Sequence, residues 1–153
     1  MNFVWILLIA ACSVAMISVV QLAPPMNDTL ANQYLDECNQ KYDLDVFGYT
    51  MEELESIALP KNQEESCVLD CYFFKQGQLV LKHIIGNKTD EYGFATAPLD
   101  NSLYGPGFDN MTTKQTNAVN SCIRFVSMFR VTQCSLVYKL RLCLHLELNQ
   151  TRN

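Results

Sequence analysis

The sequence predicts an all-α domain, a compact bundle of about six helices stapled by three disulfides. Three observations predict it. Capping side chains stand before several stretches that contain no helix breaker. In the clearest of these the apolar residues recur with a helical period rather than the period of two that a strand requires. Six cysteines follow an apolar leader, an even number that suits a disulfide framework. The chain has 153 residues, 7 of them Cys, and a formal net charge of -5. That is one domain's worth of chain, with the length to bury a core.

The leader comes first. Residues 1–23 hold 19 apolar residues and no charge. The run from Phe3 to Val20 is interrupted only by Ser13 and Ser18 and leads into Gln21-Leu22-Ala23-Pro24-Pro25. It reads as a secretory signal peptide cut after Ala23 or Ala15, which leaves 24–153 as the secreted, extracellular domain. The alternative reading is an uncleaved anchor, because about 18 apolar residues just span a bilayer. Cleavage removes Cys12 and leaves Cys38, Cys67, Cys71, Cys122, Cys134 and Cys143. It also removes Trp5, the single Trp. The purified secreted protein is therefore expected to show tyrosine emission alone, from 7 Tyr that all lie beyond residue 23. Tryptophan emission, or an N-terminal sequence beginning at Met1, would restore Cys12 and the anchor.

The helices follow in order. Asp28 or Thr29 opens a helix through Tyr34, Leu35 and Cys38. Thr50 and Glu53 have capping-box spacing and open a short helix that ends before Pro60. Cys67 to Gln76 contains no breaker, and Gly77 is its natural stop. Leu79–Ile85 has strand character but no evident partner strand. Residues 86–111, with Gly86, Gly93, Pro98 and Gly105-Pro106-Gly107, read as a long irregular connection. Thr112 or Thr113 opens a helix to Phe129, with Ala118, Cys122, Phe125, Val126 and Phe129 on one face. Cys134 to Leu148 reads as the last helix, apolar nearly all round and therefore central. Asn27, Asn87, Asn110 and Asn149 head glycosylation sequons, which must lie at the surface wherever they are used.

Helical geometry restricts the cysteine pairing without fixing it. Cys134 and Cys143, nine apart on one helix, fall on opposite faces and must bond different partners. Cys67 and Cys71, one turn apart, let a single helix be stapled to two neighbours. Several of the connectivities open to six cysteines survive these limits.

The pattern Cys67-x3-Cys71 with Cys134-x8-Cys143, in a short secreted helical chain, resembles the insect odorant-binding protein family of the six-cysteine pheromone and general odorant-binding type. Cys67-Val-Leu-Asp-Cys-Tyr-Phe-Phe-Lys-Gln-Gly77 is similar to that family's third helix, and Cys134-Ser-Leu-Val-Tyr138 to the start of its sixth. The resemblance covers roughly residues 28–148; the 50 residues between Cys71 and Cys122 exceed the family's usual spacing. It implies the bonds Cys38–Cys71, Cys67–Cys134 and Cys122–Cys143. It also implies an apolar cavity and a soluble carrier or scavenger of small hydrophobic ligands such as an odorant, a pheromone or a lipid.

A cavity of that kind is a packing defect. At about 24 cal/mol per Å3, a void of about 300 Å3 costs roughly 7 kcal/mol. Three disulfides, each contributing about 3–4 kcal/mol, could offset it. Candidate ligand contacts on the apolar faces are Leu69, Tyr72, Phe73 and Phe74; Phe125, Met128 and Phe129; and Tyr138, Leu140 and Leu144. Tyr138 would offer its hydroxyl to a polar ligand end.

Other classes of function are excluded or set second. The acidic balance, with pI ≈ 4.9, argues against nucleic acid as a partner. No hydrolase, metalloprotease or phosphate-loop motif is present, and the cysteine spacing is not that of zinc sites, so we expect no enzyme, cofactor or metal. His83 and His145 have no carboxylate partner by motif. Once the leader is gone, no stable membrane insertion is expected. The second reading is a secreted, disulfide-stapled helical protein that acts through a receptor or other protein partner in a non-sensory secretion.

Overall fold

A computed structural model describes residues 28–44, 48–82, 91–96 and 98–150. The leader lies outside these residues, as do Asn27, His83 and Asn87. Helix α1 (Asp28–Lys41) buries Ala31, Leu35, Cys38 and Asn39, a helical stripe. Its first turn carries Asp28 and its last Lys41, each at the end that the helix dipole favours. The Asn39 amide clasps the following segment, donating to the Tyr49 carbonyl at 2.8 Å and accepting from the Tyr49 N–H at 3.0 Å. That clasp delivers Thr50 to the start of α2 (Met51–Ser56). There the capping box forms, with Glu53 N–H donating to Thr50 Oγ1 and Thr50 N–H to Glu53 Oε2.

Helix α3 (Gln63–Lys75) is the central element. Its N-cap is Asn62, and every residue from Ser66 to Phe73 is buried. Gly77, at φ +73°, ends it in a Schellman turn, in which Gln78 N–H donates to the Phe73 carbonyl and Gly77 N–H to that of Phe74. A side chain at that φ would be strained, which is why glycine serves as the stop.

The chain then forms an antiparallel hairpin, so the all-α expectation is corrected to a mostly helical fold with one two-stranded sheet. Strand β1 (Leu79–Lys82) pairs with β2 (Glu91–Phe94) in the register Leu79↔Phe94 and Lys82↔Glu91. Leu79 and Phe94 point into the core. The strand character of Leu79 onward is real, and its partner lies in the stretch expected to be irregular. The short sequence Glu91-Tyr-Gly-Phe94 carries no alternation of its own and becomes a strand only by pairing. That stretch also holds a 3-10 turn (Asn101–Tyr104), capped by Asp100, that buries Leu103 and Tyr104.

Helix α4 (Thr113–Ser127) begins with a second capping box, between Thr112 and Gln115. Helix α5 (Leu136–Gln150) closes the fold. Among the described residues there are thus five α-helices rather than about six.

Two expected faces are corrected. On α4 the buried stripe is Ala118, Val119, Cys122 and Val126. Its centre lies on the Val119 side of Cys122, so Phe125 falls at the edge of the stripe and Phe129 beyond the helix end. On α5 the buried stripe is Leu136, Val137, Leu140, Arg141 and Leu144, while Leu146 is 49% exposed. The last helix therefore packs by one face, and the central position belongs to α3. Leu146 faces outward beside Phe125 of α4.

Three disulfides join α1 to α3 (Cys38–Cys71), α3 to the segment before α5 (Cys67–Cys134) and α4 to α5 (Cys122–Cys143). These are the pairs that the resemblance implies. Cys134 lies two residues before α5, at φ +70°, rather than on the helix.

The junction of α3 with α5 carries a buried charge. Asp70, on α3 and 1% exposed, accepts the backbone N–H groups of Ser135 (2.9 Å) and Leu136 (3.0 Å) on one oxygen and Val137 (2.9 Å) on the other. It caps α5 from another helix, satisfying donors that a helix start leaves unpaired and placing negative charge at the positive end of the dipole. Burial pushes its carboxyl above the ordinary value, and the backbone donors of Val137, Leu136, Ser135 and Cys134 pull the other way.

Candidate functional site

The ten expected ligand contacts do not converge on one cavity. Leu69, Phe73 and Leu140 are fully packed in the core, and Tyr72 is buried edge-on against Phe73, with ring centroids 5.4 Å apart. Phe74 is part-exposed and meets Tyr92 of the hairpin. Tyr138 lines a mainly polar groove with Pro60, Gln63 and Gln133. Phe125 and Phe129 stack edge-to-face at 4.9 Å on the outside of α4, and Met128 is 74% exposed. The expected apolar positions pack against one another or face solvent because α3 fills the centre where a void was expected. Leu144 alone of the ten lines the recess described next.

That recess is built on Arg141. The residue follows Val137 by four and precedes Leu144 by three, so the helical repeat sets it in the core-facing stripe of α5. It is 3% exposed. Its guanidinium is held by three backbone carbonyls: Nε donates to Leu103 at 3.1 Å, Nη2 to Ser102 at 2.8 Å, and Nη1 to Ile57. These oxygens come from the end of α2 and from the 3-10 turn, so Arg141 ties both to α5. Gly105, at φ +101°, lets the chain turn past the guanidinium, with the place of a Cβ 3.5 Å from Nε. The Phe73 ring lies 5.9 Å from the guanidinium carbon.

Burial brings the Arg141 pKa down to about 10, which leaves it cationic at neutral pH. The ion pairs among the described residues are Lys75–Glu37 and Arg130–Glu91, and neither involves Arg141. Above it opens a cleft of about 200 Å3. Tyr104, Pro106 and Phe108 form one wall and Leu144 and Leu148 the other, with Ala58 beside them. The Tyr104 and Phe108 rings lie 5.9 Å apart. His145 and Asn149, both exposed and 3.0 Å apart, stand at the opening.

Arg141 stands in the sequence among the leucines of the last helix and belongs to no motif. The signal that could have found it is its spacing, a charge at a core position of an apolar stripe. Tyr104, Phe108 and Leu148 carried no such signal, because the 3-10 turn that brings the first two to α5 is not periodic.

Among the described residues no helix is long and apolar enough to cross a membrane, and no cluster of His, Cys, Asp and Glu could hold a metal ion. Two sequon asparagines, Asn110 and Asn149, are exposed. Comparison with protein-family models, curated proteins and solved structures finds no match to this chain.

Proposed function

We propose that the chain is a secreted carrier or scavenger of small hydrophobic molecules, of the odorant-binding type, and that its ligand enters the cleft over Arg141. The observation that carries this reading is the cleft itself: apolar walls from two elements, one fixed polar group at the base, and an opening to solvent, the usual make-up of a small-molecule site. The interlocked disulfide pairing supports the family resemblance. A volume of about 200 Å3 is below the usual range of about 300–1,000 Å3. The cleft therefore takes a short molecule, or the end of a longer one whose chain lies along Phe108 and Leu148.

An apolar fluorescent probe is expected to bind the folded, oxidised protein at micromolar concentration or below, with long-chain alcohols, esters or fatty acids displacing it. Ala58→Trp, which puts a large ring beside the cleft without touching the core, should weaken the probe tenfold or more. Ligand at about 100 times Kd should add roughly 2.7 kcal/mol of stability. No probe binding to the wild-type protein overturns the reading.

One observation favours a second reading, a protein partner. Phe125, Phe129 and Leu146 are each about half exposed, and Phe125 and Leu146 border the same shallow groove with Ser121 and Glu147. A contiguous apolar surface of this kind often marks an interface. Binding to a partner that Phe125→Ser abolishes, in a protein that takes up no probe, would make this reading the better one.

A further inference from the structure

We infer that the cleft selects amphiphiles with a carboxylate head, which the Arg141 guanidinium binds while the apolar walls hold the first carbons of the chain. This rests on the carrier reading above and goes further by naming the ligand class.

The inference starts from an incomplete charge. A buried cation is costly unless an anion or a full set of acceptors meets it. Arg141 is 3% exposed, and among the described residues no carboxylate pairs with it. Three backbone carbonyls, at Ile57, Ser102 and Leu103, each take one of its N–H groups. A guanidinium has five such donors in a planar fork, so two are left over by the acceptors found among the described residues. A carboxylate brings two oxygens that can accept them. The carbonyls also fix the plane of the fork before any ligand arrives, so little side-chain freedom is lost on binding.

The surroundings select the rest of the molecule. Tyr104, Phe108, Leu144 and Leu148 offer carbon surface and no second cation. One fixed positive charge suits a monoanion better than a phosphate monoester with close to two negative charges. A neutral alcohol or ester would leave the guanidinium charge unmatched, so it should bind less well at equal chain length.

The test is competition against an apolar fluorescent probe, using the oxidised secreted protein and three competitors of one chain length: a saturated fatty acid, the alcohol and the methyl ester. The carboxylate is expected to displace the probe at a concentration at least tenfold lower than the other two. Arg141→Met removes the charge but also frees three carbonyls, so it can unfold the protein. The decisive variant is His145→Glu, on the exposed rim, which supplies an internal carboxylate to compete for Arg141. It should bring the ratio of carboxylate to alcohol potency toward one. Equal potency of the three competitors in the wild type overturns the inference and leaves the carrier reading standing. A carboxylate preference that His145→Glu does not change also overturns it, by placing the anion elsewhere. No probe binding at all overturns the carrier reading, and this inference with it.

Discussion

Asp70→Ala is expected to lower the free energy of unfolding by roughly 3–5 kcal/mol, a large share of the roughly 5–15 kcal/mol that holds a small domain folded. The carboxylate is the only acceptor shown for the N–H groups of Ser135, Leu136 and Val137. Alanine leaves the buried N–H groups of Leu136 and Val137 without partners, each costing about 1–3 kcal/mol, strands the part-buried one of Ser135, and removes a negative charge from the start of α5. Relief of the desolvated charge returns part of the loss. Asp70→Asn keeps one acceptor oxygen but sets an amide NH2 against N–H donors, so it should recover less than half. Urea unfolding checks both, and a loss under 1 kcal/mol for alanine would mean that α5 is capped some other way. The pH dependence gives a second check. Burial raises the folded carboxyl above its unfolded value of 3.8. The proton-linked stability from this group is thus fully present below that value and is lost as pH rises through the folded pKa. The gap between wild type and Asp70→Ala should therefore widen as pH falls toward 3.8.

Loss of the Cys67–Cys134 bond is the second large effect. It closes the longest loop of the three, with a sequence separation of 67, and loop entropy puts its contribution at about 4 kcal/mol. Replacing both cysteines by serine avoids a stray thiol and should lower the urea midpoint more than removing Cys122 and Cys143, whose separation is 21. Asp70 sits three residues from Cys67 and holds the same junction. The two losses should therefore fall short of additive, because each loosens the segment from Cys134 to Val137 on which the other acts. Full additivity would mean that the bond and the carboxylate act on separate units.

The parts of the fold legible in the sequence are those written in local chemistry. Thr50 with Glu53, Thr112 before α4 and Gly77 after α3 each satisfy or release backbone groups within a few residues of themselves, so their spacing is enough to place a helix end. The hairpin was half legible: Leu79–Lys82 looks like a strand, but Glu91–Phe94 becomes one only beside it. The central place of α3 was hidden by Asp70, a carboxylate that reads as surface until the N–H groups of Ser135, Leu136 and Val137 meet it, and by Ser66, whose hydroxyl bonds the Asn62 carbonyl one turn back. On α5 the abundance of leucine suggested burial all round, whereas the register that matters is set by what α3 and the 3-10 turn leave open. The site was the least legible part. Arg141 and Leu144 lie on one helix face, but the carbonyls of Ile57, Ser102 and Leu103 that orient the guanidinium come from far along the chain and carry no side-chain signature.

The three crosslinks overlap along the chain. The loop from Cys38 to Cys71 overlaps the one from Cys67 to Cys134, and that one overlaps the loop from Cys122 to Cys143. Every peptide bond between Cys38 and Cys143 thus lies inside at least one closed ring. A protease that cuts once anywhere in that span, including the exposed tip at Pro106 and Gly107, opens a ring without releasing a fragment. The nicked molecule keeps its pieces at high effective concentration and can hold its shape, so surface cleavage and loss of the folded state become separate events.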